Sequence, residues 1–420
     1  MSDSSNTPVG GEGGTAPTMR QGPLAHLRVI DCTMALAGPY GTALLADLGA
    51  DVIKVEPPRG DGTRTMPPTP PDYANPGKDP SAGVDFGGYF ASINRNKRSI
   101  VLDFKLEQDR ETFLQLCEGA DAVVENMRAG VMDRLGVGYD VIRQRNPRIV
   151  YGCLRGFGDP RTGESPYAHW PAFDIVAQAM GGLAHMTGPE GGGFPSGVSV
   201  GDIFPGTLMA LGLVSAVSNA QRSGEGQFFD VAMYDAMLAF NETTISNYGY
   251  NQHTLTARGQ HHPTLHPFGI YPAQDGGVAI AALTAGQWAE FCRIMGCEEF
   301  IEDDRTKNVH KRAANWQFVY DLVSAWTQNQ TRSQIVEQMG GRVPCGPVNS
   351  AADIFSDPHV AARNMITPVQ LPGDNPEVAI VGSPIKFTQT PAGFYRNPPR
   401  LGEHTQEILS ELSEQSKDPS

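Results

Sequence analysis

One aspartate occupies a position where a carboxylate could act as a nucleophile. The pair Gly201-Asp202 immediately precedes an apolar run with helical spacing that begins at Ile203. An aspartate placed there commonly caps the helix by accepting hydrogen bonds from its first free amides. The positive end of a helix also favours an ionised carboxylate, and a preceding glycine leaves room for a substrate. The sequence is therefore compatible with both a helix cap and a catalytic carboxylate.

A second aspartate and a basic run could contribute to such a site. Asp174 also opens a helical pattern, so it is expected either to cap that helix or to contact the site. The run NRNKRSIVLDFK (94–105) concentrates positive charge around one strand of an acidic chain. Such a run forms either a solvated edge or a cradle for a phosphorylated ligand. The cations concerned are Arg95, Lys97, Arg98 and Lys105, to which Arg59, Arg64, Arg128 and Arg134 could add.

Histidines are concentrated in a proline-rich segment that also contains an arginine. Arg258, His261, His262 and His266 have spacings that match no structural zinc pattern, so we expect no metal site. The segment is typical of a solvated loop or of a loop beside a substrate.

Strands and helices alternate from Leu27 onward, and this alternation must position the candidate residues. Strands separated by helices imply an α/β fold with a parallel sheet covered by helices on both faces. The predicted strands are 27–32, 51–57, 99–104, 121–126 and 148–156, with helices at 38–50, 107–119, 131–145, 173–187 and 203–222 and a strand running into a helix at 228–240. Proline and glycine at 57–85 indicate a long loop of the kind that often covers a binding site.

A second α/β stretch follows residue 250, with a strand at 278–283 and helices near 285–296, 308–328 and 331–339. Strand-like runs and a terminal helix at 405–414 come after it. We therefore predict a flexible arm at 1–22, the first part of a large domain at 23–225, a linker at 226–249, a small domain at 250–340 and a return to the large domain at 341–420.

Composition excludes several classes of function. With 32 basic and 46 acidic residues, the net charge of −14 is unsuited to sequence-independent binding of nucleic acid. The six cysteines are scattered without a CxxC pair, which is typical of reduced thiols in a cytoplasmic protein. Polar residues interrupt the apolar stretch near 206–220, and the N-terminus lacks an apolar signal segment, so no membrane association is expected. Neither GxGxxG nor GxxxxGK[ST] occurs.

Several stretches, in order along nearly the whole chain, resemble the class III CoA-transferases. This family includes formyl-CoA transferase, carnitine CoA-transferase and the α-methylacyl-CoA racemases. The resemblance implies a Rossmann-like large domain built from both ends of the chain, a small α/β domain inserted late, and an interlocked ring-like dimer. The matching stretches include LAGPYGTALLADLGADVIKVEPPRGDGTR (36–64), NRNKRSIVLD (94–103), FDIVAQAMGGLAHMTG (173–188), VSVGD (198–202) and VPCGPVNSAADIFSDPHVAARNM (343–365).

The resemblance also assigns roles to individual residues. The nucleophilic aspartate of the family falls on Asp202. Coenzyme A enters as an acyl-CoA substrate, with no permanently bound cofactor, and is transferred to a carboxylic acid through an aspartyl-CoA thioester. The family's CoA contacts fall on Leu102, Lys105, Asn126, Met127 and Arg134.

Departures from the family's patterns restrict the activity. The catalytic histidine of the racemases falls on Phe173, which cannot carry a proton, so transfer is favoured over the alternative of epimerisation. A glutamine of formyl-CoA transferase falls on Leu36, an arginine on Pro57 and a tyrosine on Phe173, and its glycine-rich loop has no clear counterpart near 250–275. These departures argue against formate and oxalate, and they leave room for a partner subunit of a heteromeric transferase as well as for a homodimer.

The segment 257–271 is similar to family members that handle larger acids. Arg258 and the nearby histidines could meet a second carboxylate. We therefore expect a dicarboxylate pair, such as succinyl-CoA with malate, mesaconate or citramalate.

Overall fold

A six-stranded parallel sheet forms the centre of the large unit, and it confirms the predicted α/β class. The computed structural model describes residues 21–68, 87–371 and 377–415. The strand order is β3-β2-β1-β4-β5-β6, with every neighbouring pair parallel. These strands are β1 (Arg28–Cys32), β2 (Asp51–Glu56), β3 (Arg98–Val101), β4 (Ala122–Glu125), β5 (Val150–Arg155) and β6 (Phe228–Ala232).

Helices cover both faces of this sheet. They are α1 (Ala37–Asp47), α2 (Gly88–Ile93), α3 (Glu107–Glu118), α4 (Val131–Arg134), α5 (Tyr139–Arg145), α6 (Asp174–Met180), α7 (Val200–Ser223), α8 (Met233–Phe240) and α9 (Glu242–Asn251). Successive strand residues point to opposite faces, so Val29 packs with α1, α6, α7 and α8 while Ile30 packs with α3, α4 and α5. Two separate apolar cores result, one on each side of the sheet.

The C-terminal part of the chain returns to the second core. The last helix, α16 (Thr405–Gln415), places Ile408 among the residues that cover β1 to β5. Buried Arg98 joins this helix to the sheet by donating to Asp51 at 2.6 Å and to Glu411 at 2.5 Å. Residues from both ends of the chain therefore build the large unit.

The small unit is a three-stranded antiparallel sheet with its own apolar core. Its strands are β7 (Phe268–Ala273), β8 (Gly276–Ala281) and β9 (Cys345–Pro347) in the order β7-β8-β9. Trp288, Phe291 and Val323 pack in this core. Its helices are α10 (Ala285–Met295), α11 (Val309–Ala314), α12 (Trp316–Thr327) and α13 (Arg332–Met339), followed by α14 (Ala351–Phe355), α15 (Pro358–Ala362) and the hairpin β10 (Ile366–Gln370) and β11 (Glu377–Val381).

Two of the predicted domain limits differ from the strand pairing. The interval 226–249, predicted as a linker, contains the edge strand β6 of the large sheet and the helix α8 that packs on the core. The return to the large unit, predicted at 341, comes later because β9 still pairs with β8. In both places long-range pairing decides the limit, and local composition does not reveal it. The predicted arm lies almost wholly outside the described residues, as does most of the predicted loop at 57–85.

Three predicted helices are divided in the structure. The helix expected at 131–145 is interrupted at Gly136, whose φ of +76° suits glycine. The helix expected at 173–187 ends before Gly182, also at positive φ, and a short 3₁₀ turn follows at Ala184–Met186. The helix expected at 308–328 breaks at Asn315.

The helix α7 is long and apolar enough to cross a membrane by length and composition, contrary to the expectation for residues 206–220. The apolar residues of this helix pack inside the protein. Met209, Leu213 and Val217 are buried in the first core beside α1 and the sheet. The helix is therefore the central packing element of the large unit.

Candidate active site

A crevice is expected where the strand order reverses direction, between β1 and β4. The chain leaves β1 toward β2 on one side and continues from β4 toward β5 on the other. In open parallel sheets, ligands bind at the carboxyl ends of the strands at this switch point. Here Asn126, which follows β4, donates to the Met34 carbonyl at 2.7 Å and accepts from the Met34 amide at 2.8 Å. This side chain therefore joins the loops that follow β1 and β4, on either side of the switch point.

A backbone contact between α1 and α7 sets the position of Asp202. A Cβ on Gly206 would lie 2.3 Å from the Ala37 carbonyl oxygen, and one on Gly41 would lie 2.4 Å from that of Gly206. The glycines thus allow the two helices to touch. Asp202 lies one turn before Gly206 on the same helix face. The carboxylate is therefore held beside the start of α1, at the end of the loop that follows β1.

Asp202 is the third residue of α7 and is not its cap. The helix begins at Val200, three residues earlier than expected, and Ser199 is the N-cap. The Asp202 side chain is half-buried. Burial raises its pKa from 3.8 to about 7, and the negative charge of Asp174 adds to this shift. Near neutral pH the protonated and ionised forms of this carboxyl group are therefore both populated.

Asp174 accepts a hydrogen bond from the helix that carries Asp202. The N-cap of α6 is Phe173, so Asp174 is the first residue of its own helix rather than its cap. Its Oδ1 accepts from the Gly201 amide at 2.7 Å. Asp174 thus satisfies a free amide in the first turn of α7 and places a second carboxylate near Asp202.

Tyr89, on α2, belongs to the same electrostatic cluster. Burial raises the pKa of its phenol, and the charges of Asp202, Asp174 and Asp61 raise it further. The sequence reasoning missed this residue because it follows a long segment without regular pattern. The three groups Tyr89, Asp174 and Asp202 come from helices that are far apart in the chain.

The five residues expected to contact CoA all follow β3 or β4, at the same edge of the sheet as the crevice. Lys105 and Arg134 are exposed, as an ionic contact with phosphate requires. Leu102 is buried in the second core, and its amide donates to the Glu56 carbonyl at 2.9 Å. Asn126 supports Met34 as described, and the Met127 amide donates to Glu125 at 2.6 Å.

Glu125 and Arg155 form a buried pair beside Met127 that the sequence reasoning also missed. Arg155 donates to the Glu125 carboxylate at 2.6 Å and also to the Met127 carbonyl. Burial raises the pKa of Glu125 to about 7, although Arg155 opposes the shift. The pair fixes the main chain where it leaves β4.

The basic run at 94–105 is neither a solvated edge nor, for most of its members, a phosphate cradle. Arg95, Lys97 and Arg98 are buried and form ion pairs with Asp47, Asp31 and Asp51. Arg64 likewise pairs with Glu56 at 2.6 Å. Of the cations considered, Arg59, Lys105, Arg128 and Arg134 are the exposed ones.

A buried polar network supports the loop that follows β1. Asp31 accepts from the Thr33 amide at 2.9 Å, from Thr42 at 2.7 Å and from Lys97 at 2.9 Å. Lys54 donates to the Thr33 carbonyl at 2.8 Å and to Asp61 at 3.0 Å. Two aspartates and two lysines thus balance one another beneath this loop. They stabilise a segment in which Ala35 has a φ of +65°, an uncommon value for a residue with a Cβ.

The histidine segment packs as an aromatic cluster in the small unit. The centres of the His261 and Tyr320 rings are 4.5 Å apart, and the Arg258 guanidinium lies 5.7 Å from the centre of the Trp316 ring. Burial lowers the pKa of His266 to about 4, and the charges of His261 and Arg258 add to the shift. Within residues 21–68, 87–371 and 377–415, no three His, Cys, Asp or Glu side chains are grouped to hold a metal.

An apolar cavity of about 460 Å³ lies beside this segment. Its lining includes His262, Phe268 and Cys345. The Gly259 amide donates to the Gly188 carbonyl at 3.0 Å, so the segment contacts the glycine-rich stretch GPEGGGFPSG (188–197) that precedes α7. This glycine-rich stretch, which precedes the candidate nucleophile, is thus in contact with the histidine segment.

Phe173, His169 and Leu36 occupy the three positions considered for proton transfer or substrate contact. Phe173 is 71% exposed at the start of α6. His169 is also exposed, in the loop before it. Leu36 is buried at the start of α1. Among the described residues, the groups that act electrostatically on Asp202 and Tyr89 are thus carboxylates.

A large α/β unit with a parallel sheet and a separate small α/β unit form the fold that the family resemblance implied. The chain belongs to CoA-transferase family III, whose family model matches residues 24–405. It is therefore a class III CoA-transferase.

Individual relatives extend this assignment. The chain is 43% identical to succinyl-CoA:mesaconate CoA-transferase of Haloarcula hispanica, over 93% of this chain and 96% of that protein. It is 35% identical to succinate–glutarate CoA-transferase of Agrobacterium fabrum, over 94% of this chain and 96% of that protein. A CAIB/BAIF family protein from Brucella suis has a similar structure, with a TM-score of 0.79 and 33% identity over 93% of this chain and 100% of that chain.

Proposed function

We propose that this enzyme moves CoA from an acyl-CoA donor such as succinyl-CoA to a dicarboxylic acid such as mesaconate, citramalate or malate, with Asp202 as the nucleophile. The observation that carries the proposal is a half-buried carboxylate in the first turn of α7, with a pKa of about 7, on the helix whose backbone touches α1 just after the switch-point strand β1. Strong perturbation of a carboxyl group in a cleft is typical of catalytic sites.

The reaction proceeds by two exchanges at the Asp202 carboxyl group. The carboxylate attacks the thioester carbonyl of the donor, which gives a mixed anhydride and releases CoA thiolate. The thiolate then attacks the aspartyl carbonyl, which gives an aspartyl-CoA thioester and frees the donor acid. The acceptor carboxylate attacks that thioester, and the returning thiolate cleaves the new anhydride on the acceptor side. Asp202 is regenerated, and CoA leaves on the acceptor.

The structure supports different roles for the five residues proposed to bind CoA. Lys105 and Arg134 have exposed side chains that suit the phosphates of CoA. Leu102 and Met127 are engaged in the core or by Glu125, so we propose that they shape the groove mainly through their backbone. Asn126 acts through Met34, which it holds at two points. Loss of Lys105 should therefore raise KM for acyl-CoA more than it lowers kcat.

A dicarboxylate acceptor is supported by the relatives and by one cation of the small unit. The relatives' names specify mesaconate, glutarate and, in the Chloroflexus aurantiacus enzyme at 33% identity, D-citramalate. Each of these acids has a second carboxylate that needs a partner. Arg258 is exposed on the segment that contacts the glycine-rich stretch before α7. We propose that it receives this carboxylate.

We also propose a homodimer, with a heteromer of related chains as the alternative, acting in the cytoplasm. Large apolar side chains are exposed along the helices of the nucleophile's face, and a second chain would cover them. They include Ile175 (51%), Leu211 (63%), Phe240 (48%), Ile245 (51%) and Tyr250 (89%). Size-exclusion chromatography with light scattering of the chain alone tests this: a dimer supports the homodimer, and a monomer that is active only with a sister chain supports the heteromer.

Trapping of the intermediate tests the proposed function directly. The enzyme is incubated with succinyl-CoA, and the aspartyl thioester is captured by hydroxylamine or reduced by borohydride. Peptide mass spectrometry should locate the modification on Asp202, and Asp202→Ala should show neither adduct nor transfer. Full transfer activity in that variant would contradict the proposal. An acceptor panel of mono- and dicarboxylates, with products identified by mass, then defines the acid.

The epimerase alternative predicts exchange of the substrate's α-proton with deuterated water in the absence of any acceptor acid. We expect no such exchange, because Phe173 stands where the racemases have a histidine. Deuterium incorporation at the α-carbon without CoA transfer would favour the alternative.

A further inference from the structure

A buried glutamine connects the two carboxylates of the site to the glycine-rich stretch. Gln178 lies on α6 and is 0% exposed. Its Nε2 donates to Asp174 Oδ2 at 2.8 Å and lies 3.4 Å from the Val198 carbonyl oxygen. Its Oε1 accepts from the Ser196 amide at 2.8 Å. Each polar atom of this side chain therefore has a partner in the segment before Asp202 or in Asp174.

Gln178 holds the end of a glycine-rich stretch whose other attachments are made by backbone hydrogen bonds. Added Cβ atoms at Gly191, Gly193 and Gly197 would meet nothing within 4 Å, so these three glycines border open space, whereas one on Gly192 would lie 1.9 Å from the His185 carbonyl oxygen. Phe194 and Val198 are exposed at 50% and 67%. The stretch is attached at its beginning by the bond from Gly259 to Gly188, in its middle by the Gly193 amide, which donates to the Ala184 carbonyl at 2.8 Å, and at its end by Gln178. Three residues after Val198 comes Gly201, whose amide donates a hydrogen bond to Asp174.

We infer that Gln178 is a positioning residue of the transfer reaction, whose side-chain amide fixes Asp174 and the segment leading to Asp202 as one unit. This inference rests on the proposed role of Asp202. With Oδ1 held by Gly201 and Oδ2 held by Gln178, Asp174 presents its charge to Asp202 from a fixed place. The titratable groups that act on one another here are Asp174 on α6, Asp202 on α7 and Tyr89 on α2, with Asp61 acting on Tyr89.

Replacement of Gln178 by glutamate distinguishes a positioning role from a merely structural one. A carboxylic acid next to a carboxylate retains its proton to higher pH, and the protonated group can replace the amide donor. Gln178→Glu should therefore work nearly as well as the wild type at low pH and lose activity once it ionises beside Asp174. Gln178→Met has a similar length, lacks both hydrogen bonds and carries no charge, so its loss should not depend on pH.

The experiment compares kcat and KM of both variants with the wild type across pH. We expect kcat of Gln178→Glu within about threefold of wild type near pH 6 and at least about tenfold lower near pH 8.5, with KM nearly unchanged. Gln178→Met should be about tenfold lower at both values. The matched control is Gln221→Glu, which adds the same charge at an exposed position near the far end of α7. Its ratio to wild type should stay constant.

A constant ratio of Gln178→Glu to wild type, or wild-type kcat in both variants, would overturn this inference. If Gln178→Met does not fold, as judged by circular dichroism and thermal unfolding, the pH dependence of the folded glutamate variant still decides. Trapping on the wild type separates the two proposals. Absence of an Asp202 adduct there contradicts the proposed function, whereas an adduct together with a constant ratio contradicts the role of Gln178 alone.

Discussion

Replacement of Asp202 by asparagine should abolish activity and, at the same time, stabilise the fold at alkaline pH. In the folded protein its pKa lies near 7 instead of 3.8, mainly because the side chain is buried. Between these two values the folded state binds more protons than the unfolded state does. Stability therefore falls as pH rises through this interval, and the electrostatic cost is complete above about pH 7.

The size of the effect follows from the same interval. At about 1.4 kcal/mol per pH unit, the change from 3.8 to about 7 sets a ceiling of ~4 kcal/mol. Solvent still reaches part of the half-buried side chain, so screening reduces the expected gain to about 1–3 kcal/mol. The asparagine side chain carries no charge. The gain in the free energy of unfolding should therefore appear near pH 8 and be largely absent at about pH 4.5.

Urea unfolding of the wild type and Asp202→Asn at both pH values measures this difference, alongside kcat for CoA transfer. We expect kcat to fall at least about a thousandfold. Glu225→Gln is the control, because it removes an exposed carboxylate just past the other end of α7. Equal stability of Asp202→Asn and wild type at both pH values would refute the claim that the ionised Asp202 side chain destabilises the folded protein.

Three further outcomes are expected. Below about pH 7, kcat/KM should fall roughly tenfold per pH unit because protonation of Asp202 removes the proposed nucleophile, and a profile flat down to about pH 5 would contradict this. Gly206→Ala should cost about 1–3 kcal/mol and lower kcat, since its Cβ would lie 2.3 Å from a carbonyl oxygen of α1, whereas Gly286→Ala, with open space around it, should be nearly neutral in urea unfolding. Lys97→Met should cost about 3–5 kcal/mol because buried Asp31 loses its ion-pair partner, and unchanged stability would show that Asp31 is satisfied by other groups.

Local pattern was sufficient for the main sheet. The short β-branched runs predicted five of its six strands, and the strand that runs into a helix at 228–240 is the sixth. Local pattern did not predict the structure where pairing with a distant segment determines it. The pairing partner of 228–232 lies at 151–155, so the segment was taken for a linker.

The candidate site likewise combines features that local sequence predicts with features that depend on long-range contacts. Asp202 was assigned as the nucleophile because the nucleophilic aspartate of the family falls on it, and that role remains a prediction. The burial of Arg95, Lys97 and Arg98 could not be foreseen, because their carboxylate partners precede them by 47 to 66 residues. The contact of Asp174 with Gly201 spans 27 residues and depends on how α6 meets α7. Such contacts arise only when the chain has folded.

The position of the candidate nucleophile on α7 has a consequence for changing what the enzyme accepts. This helix is also the main support of the first core, and its backbone touches α1 at Gly206 and Gly41. A helix so placed cannot shift to suit acids of different length. Adaptation to a new acceptor must therefore come from the segments attached around it, chiefly 188–198 and 257–262. Libraries that vary these two segments and leave 200–210 intact are the rational route to altered selectivity.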